Sequence, residues 1–129
     1  MIEAALNKKV WAVVGANGNK DKFGCKIYKR LVQAGYEVYP VNPGLTEIAG
    51  EKCYATLTEL PVVPDVVNVI VPAKIAVTVV EEAAALGIKL VWLQPGSDKP
   101  AVITAAHDLK LDVICDCVLV QLGKKDAGK

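Results

Sequence analysis

The 129-residue sequence is poor in the features that mark most specialised protein classes. It has one histidine, one methionine and one phenylalanine, and aromatic residues make up 5% of it. No Ser/His/Asp arrangement and no paired carboxylates stand out, so no catalytic residue is assigned. No apolar run approaches the ~20 residues that a membrane span needs. The stretch Met1–Lys9 has no apolar core of signal-peptide length, so a cytoplasmic location is expected. The four cysteines show neither a Cys-x-x-Cys pair nor a zinc spacing, which implies free thiols and no metal. Charge of one sign is lacking too. Fifteen basic residues against 14 acidic ones leave a net charge of +1, which removes the electrostatic case for bulk nucleic-acid binding.

What is present is a core. Hydrophobic residues make up 53% and mean hydropathy is +0.34, which excludes a disordered chain. Residues 1–129 are expected to form one domain, burying roughly 65–70% of the unfolded surface without disulfide or metal.

Short apolar runs alternate with helical periodicity. Val10–Val14 is continuous rather than alternating, as in a strand buried on both faces. Ile27, Leu31 and Ala34 then recur at helical spacing, and Gly35 stops that helix. Glu37–Val41 is the second strand, limited by Pro40. The irregular connection Asn42–Asp65 is long enough that it should carry a short element or a function. Val66–Val71, β-branched at five of six positions, is the third strand. A helix opens at Pro72 and runs to about Leu86, with Glu81 and Glu82 on its solvated face. Leu90–Leu93 is the fourth strand, and Ser97 or Asp98 caps the next helix, marked by Val102, Ile103, Ala106 and Leu109. Val113–Cys115 is the fifth strand, and a frayed charged tail begins at Lys124. Trp11 and Trp92 belong to the core. This alternation predicts an α/β fold, a Rossmann-like three-layer sandwich with a parallel five-stranded sheet in the order 3-2-1-4-5.

In such a sheet ligands bind at the carboxyl ends of the strands, where the strand order reverses. The loops Gly15–Phe23, Asn42–Gly44, Pro72–Lys74 and Gln94–Ser97 are therefore the candidate surface. The first of them pairs glycines, which allow close backbone approach, with a helix start that favours phosphate. Lys20, Lys22 and Lys26 add positive charge. The dinucleotide fingerprint fails, because Asn17 and Lys20 stand where its second and third glycines belong. The acid that would bind a ribose at the end of the second strand is also missing, since Val41-Asn42 ends it. No Gly-Lys-Ser/Thr occurs.

Four stretches look familiar together: Val13-Val-Gly-Ala16 with Phe23-Gly24, Gly35-Tyr-Glu-Val-Tyr-Pro-Val-Asn-Pro43, Gly50-Glu-Lys-Cys-Tyr54, and Val91-Trp-Leu-Gln94. Through them the chain resembles the small stand-alone CoA-binding proteins (the YccU-like family), related to the CoA-binding domain of the succinyl-CoA synthetase α subunit. The resemblance implies coenzyme A or an acyl-CoA as ligand, held by its nucleotide end. It lays Gly15, Ala16 and Asn17 against the pyrophosphate, with Lys20, Lys22, Phe23 and Gly24 around the helix start. Asn42 and Pro43 fall beside the ribose and its 3′-phosphate. Val71 and Pro72 flank the adenine, with Lys74 and Gln94 nearby. On that placement Asn42→Asp should weaken CoA more than dephospho-CoA. No intrinsic catalysis is expected. Alternatives are a subunit of an acyl-CoA synthetase, a small NAD(P)-binding oxidoreductase, or an interaction module. His107, the only histidine, falls late in a helix away from the ligand edge. Cys25, at the helix start, and the pair Cys115 and Cys117 are the candidate reactive thiols. A homodimer or an unidentified protein partner stays open.

Overall fold

The computed structural model describes residues 1–127. In chain order it forms α1 (Ile2–Leu6), β1 (Val10–Val14), α2 (Phe23–Gln33), β2 (Glu37–Val41), β3 (Glu47–Ile48), β4 (Glu51–Lys52), a 3-10 turn (Leu57–Glu59) and β5 (Val66–Val69). These are followed by α3 (Ala73–Ala85), β6 (Leu90–Leu93), α4 (Pro100–Asp108), β7 (Asp112–Cys115) and α5 (Val118–Ala127). No helix among the described residues is long and apolar enough to cross a membrane.

Five parallel strands make the main sheet, in the order β2-β1-β5-β6-β7. The α/β class, the parallel five-stranded sheet and the helical layers agree with expectation. The order 3-2-1-4-5 needs correcting. Counted among the five, the third strand (β5) pairs with the first, not outside the second, giving 2-1-3-4-5. All four residues of β5 are buried, and a strand buried on both faces belongs in the middle of a sheet. The place outside β2 is taken by a single parallel bridge, Val41 to Tyr54. The Asn42 N–H donates to the Tyr54 carbonyl at 2.8 Å and the Tyr54 N–H to the Pro40 carbonyl at 3.0 Å. The position outside β2 is thus filled by one residue.

Alternation along the strands divides the core in two. Trp11, Val13, Val66, Trp92 and Ile114 face α1, α2 and α5; Ala12, Val14, Val67, Val69 and Leu93 face α3 and α4. Trp11 and Trp92 are fully buried, with ring centroids 5.7 Å apart. Their indole N–H groups donate to the carbonyls of Lys8 (3.1 Å) and Asp116 (2.8 Å), so both large rings are buried without orphaning a donor.

Both ends of the described chain are helical. α1 packs Ala5 and Leu6 into the first core. The stretch expected to fray from Lys124 is helical to Ala127, docked through Leu122 and an Arg30–Asp126 ion pair. The N-cap of α4 is Lys99, with Pro100 as its first residue, rather than Ser97 or Asp98.

Candidate functional site

The chain leaves β1 through Gly15, at φ +99°, where a Cβ would lie 2.1 Å from the Ile70 carbonyl oxygen. Both the backbone conformation and the contact demand glycine. The Gly15 N–H donates to the Val41 carbonyl and the Ile70 N–H to the Val14 carbonyl, each at 2.9 Å. The loops after β1, β2 and β5 therefore leave one hydrogen-bonded platform. Gly24, in the first turn of α2, faces Gly15: a Cβ there would lie 2.0 Å from the Gly15 carbonyl oxygen. The missing side chains let the start of α2 settle directly on the end of β1.

Between these glycines the loop holds itself. The Asn17 side chain accepts from the Asn19 N–H (2.7 Å), and the Asn19 side chain from the Asp21 N–H (3.0 Å). Lys22 is the N-cap of α2; no side chain caps this helix among the described residues, and its first turn holds no acid. Its first N–H groups and the positive end of the helix dipole, about half a unit charge, are left for a ligand. Lys20 and Lys22 are exposed beside it, and Phe23 is exposed with the Lys26 ammonium 5.4 Å from its ring centroid.

On the other side of Gly15 lies a cleft of about 340 Å³, within the ~300–1,000 Å³ usual for small-molecule sites. Val14, Val41 and Pro43 form one wall; Val71, Ile75 and Val79 form the other; Ala55, Thr56 and Leu57 close it. Asn42 braces it. Its amide donates to the Ala16 carbonyl, and its side-chain oxygen accepts from the Gly44 N–H, both at 2.9 Å. Ser97, buried, donates to the Val71 carbonyl (2.6 Å) and accepts from the Val71 N–H (3.0 Å), pinning the loop after β5.

Of the residues singled out in the sequence, Gly15, Asn42, Pro43 and Val71 line this cleft. Ala16, Asn17, Lys20, Lys22, Phe23 and Gly24 form the adjoining loop and helix start, while Pro72 is the N-cap of α3 and Lys74 is exposed in its first turn. Gln94 does not line the cleft. It is buried, and its amide donates to the Asn68 side-chain oxygen (2.6 Å) while its oxygen accepts from the Val118 N–H at the start of α5 (3.3 Å). A side chain with both ends occupied in the core has none to offer a ligand. Gln94→Leu is expected to cost about 2 kcal/mol of stability in a urea titration, by orphaning Val118 and Asn68, and to leave ligand affinity within about twofold.

The sequence reading missed Ala55 to Leu57, Ile75, Thr78 and Glu82. One signal was available: Thr56-Leu-Thr-Glu59 spells a capping box, and Glu59 does reach back to the Ala55 and Thr56 N–H groups. Glu82 corrects the reading of Glu81-Glu82 as a solvated pair, because it is half-buried and lines the cleft. Of the thiols, Cys25 is buried, and burial pushes Cys53 upward. Desolvation first, then the charge of Asp98, holds the Cys115 thiol above its ordinary value, which disfavours the thiolate. His107 is exposed on α4 and does not line the cleft.

A parallel sheet with an apolar cleft at its reversal point, opening onto a glycine-lined, uncapped helix start, defines a Rossmann-like ligand-binding domain. The chain belongs to the CoA binding domain family, whose model matches residues 9–123. It is 41% identical over 96 residues to the α subunit of acetate–CoA ligase (ADP-forming) I from Pyrococcus furiosus, covering 70% of this chain and 21% of that protein. It thus spans about a fifth of the length of that ligase subunit. It is also 34% identical over 94 residues to the uncharacterised protein YneT of Bacillus subtilis, covering 73% of this chain and 70% of YneT. Among solved structures, a conserved hypothetical protein from Pyrococcus furiosus superposes with a TM-score of 0.82 at 36% identity, covering 88% of this chain and 98% of that one.

Proposed function

We propose that this protein binds coenzyme A, free or acylated, by its nucleotide end. The adenine enters the cleft between the Val41–Pro43 wall and the Val71–Ile75 wall. The pyrophosphate rests on Gly15 to Asn17 and the open start of α2, and the ribose with its 3′-phosphate lies by Pro43. The pantetheine arm leaves toward solvent. The observation that carries this reading is the joining of the uncapped α2 start to the apolar cleft across Gly15. Charge supports it. The end of β2, where a redox cofactor would meet an acid, presents Asn42, so nothing there repels a ribose phosphate. Lys20, Lys22 and Lys74 stand exposed on the loop and helices around the phosphate path.

A thermal-shift and calorimetry panel with CoA, acetyl-CoA, NAD, NADPH and ATP tests this. At a hundredfold excess over Kd, CoA and acetyl-CoA should stabilise the protein by about 2.7 kcal/mol, and NAD should leave it unchanged. Stabilisation by NAD alone overturns the reading; no shift with any ligand favours an interaction module. The ligase relatives favour a second reading, in which the chain is the CoA-holding part of an acyl-CoA-forming enzyme completed by other polypeptides. Ligation would then appear only when those are added.

A further inference from the structure

Glu81 and Glu82 are neighbours in sequence but not in environment: Glu81 is exposed, while Glu82 lines the cleft. Glu82 is held there from two directions. One carboxylate oxygen accepts from the Leu57 N–H at 3.2 Å, the other from the Thr58 hydroxyl at 2.8 Å. Both donors belong to the 3-10 turn that closes the cleft. Ile75, Thr78, Val79 and Glu82 lie on one stripe of α3, so Glu82 sits about 10 Å along the helix axis from Ile75. This is the end away from the start of α3 and from the strand ends where the phosphates would lie.

A carboxylate only accepts, and it has about four lone-pair positions. Two are used on the turn. The rest meet a cleft otherwise walled by aliphatic side chains, two threonines and Asn42; Thr78 already donates to the Ile75 carbonyl at 2.7 Å, and the Asn42 amide and oxygen are engaged by Ala16 and Gly44. Among the described residues lining the cleft, Glu82 is the one ionisable group. An acceptor in an apolar slot rewards a donor and repels a carbonyl oxygen, and the penalty for a mismatch exceeds the gain from a match.

Building on the CoA reading, we infer that Glu82 selects the base of the bound nucleotide. It accepts from the exocyclic amine of adenine and rejects a purine with an oxygen at that position. Thr58, on the far side of the carboxylate, only positions it.

The test compares adenosine 3′,5′-bisphosphate with inosine 3′,5′-bisphosphate, by calorimetry on the full chain. The parent should prefer the adenine compound by about tenfold or more. In Glu82→Gln the amide can present either a donor or an acceptor, so the preference should fall to within about threefold. Thr58→Val, which keeps the carboxylate, should retain the preference. An unchanged preference in Glu82→Gln, or an equal loss in Thr58→Val, would overturn the assignment to Glu82. A parent that binds CoA and both bisphosphates equally also refutes it, while the CoA site stands. A parent that binds neither CoA nor either bisphosphate refutes the CoA site itself.

Discussion

Gly24→Ala should cost about 3 kcal/mol or more of folding free energy and abolish nucleotide binding. Helix propensity alone argues the other way, because alanine is better than glycine within a helix by about 1 kcal/mol. The contact decides the sign. The added Cβ would lie 2.0 Å from the Gly15 carbonyl oxygen and 3.3 Å from the Ala16 Cα. These are backbone atoms that no rotamer change can move, so α2 must lift away from β1. Lifting it loosens Ile27, Tyr28 and Leu31 from the core they share with Trp11 and Val13. It also separates the helix start from the Gly15 turn, which is the proposed phosphate cradle. Urea denaturation and calorimetry with CoA measure the two losses. Gly18→Ala is the control: nothing lies within 4 Å of its Cβ position, and its stability should stay within about 0.5 kcal/mol of the parent. Parental stability in Gly24→Ala would show that the close approach does not build the site.

Asn42→Asp should lower affinity for dephospho-CoA by about tenfold or more, and for CoA by at least as much, and cost about 1–3 kcal/mol of stability. Read from the sequence, the same substitution acts only by placing a charge beside the 3′-phosphate and should weaken CoA more than dephospho-CoA. The structure gives Asn42 another task. Its amide donates to the Ala16 carbonyl and its oxygen accepts from the Gly44 N–H, tying the loop after β1 to the loop after β2. Aspartate keeps the shape and the bond from Gly44, but sets an oxygen against the Ala16 carbonyl, acceptor to acceptor. Both loops must move, and they form the wall and the cradle together. The ratio of the two dissociation constants separates the outcomes: a loss confined to CoA would return Asn42 to direct phosphate recognition.

Strand and helix identities were legible because their signals are local. Val10–Val14 and Leu90–Leu93 are unbroken apolar runs, Val66–Val69 is interrupted only by Asn68, and the structure buries nearly every residue in them. The turn glycines, the alternation of elements and the loops at the strand ends follow from the same kind of signal. The edge elements were harder. β3 and β4 are two residues each, and the outer partner of β2 is the single residue Tyr54, below the length at which any periodicity can show.

The sequence by itself determined the parallel α/β architecture, the glycine-bearing loop between the first strand and the next helix, and the absence of an acid after the second strand, since each is carried by residues adjacent in the chain. The tertiary structure alone decided that β5 sits beside β1, that the Gln94 side chain is hydrogen-bonded within the core, and that Glu82 turns into the cleft. The last two depend on partners 24 to 26 residues away: Asn68 and Val118 for Gln94, Leu57 and Thr58 for Glu82. Side-chain hydrogen bonding is set by which atoms packing brings within 3 Å or so, and no local pattern of residue types encodes that.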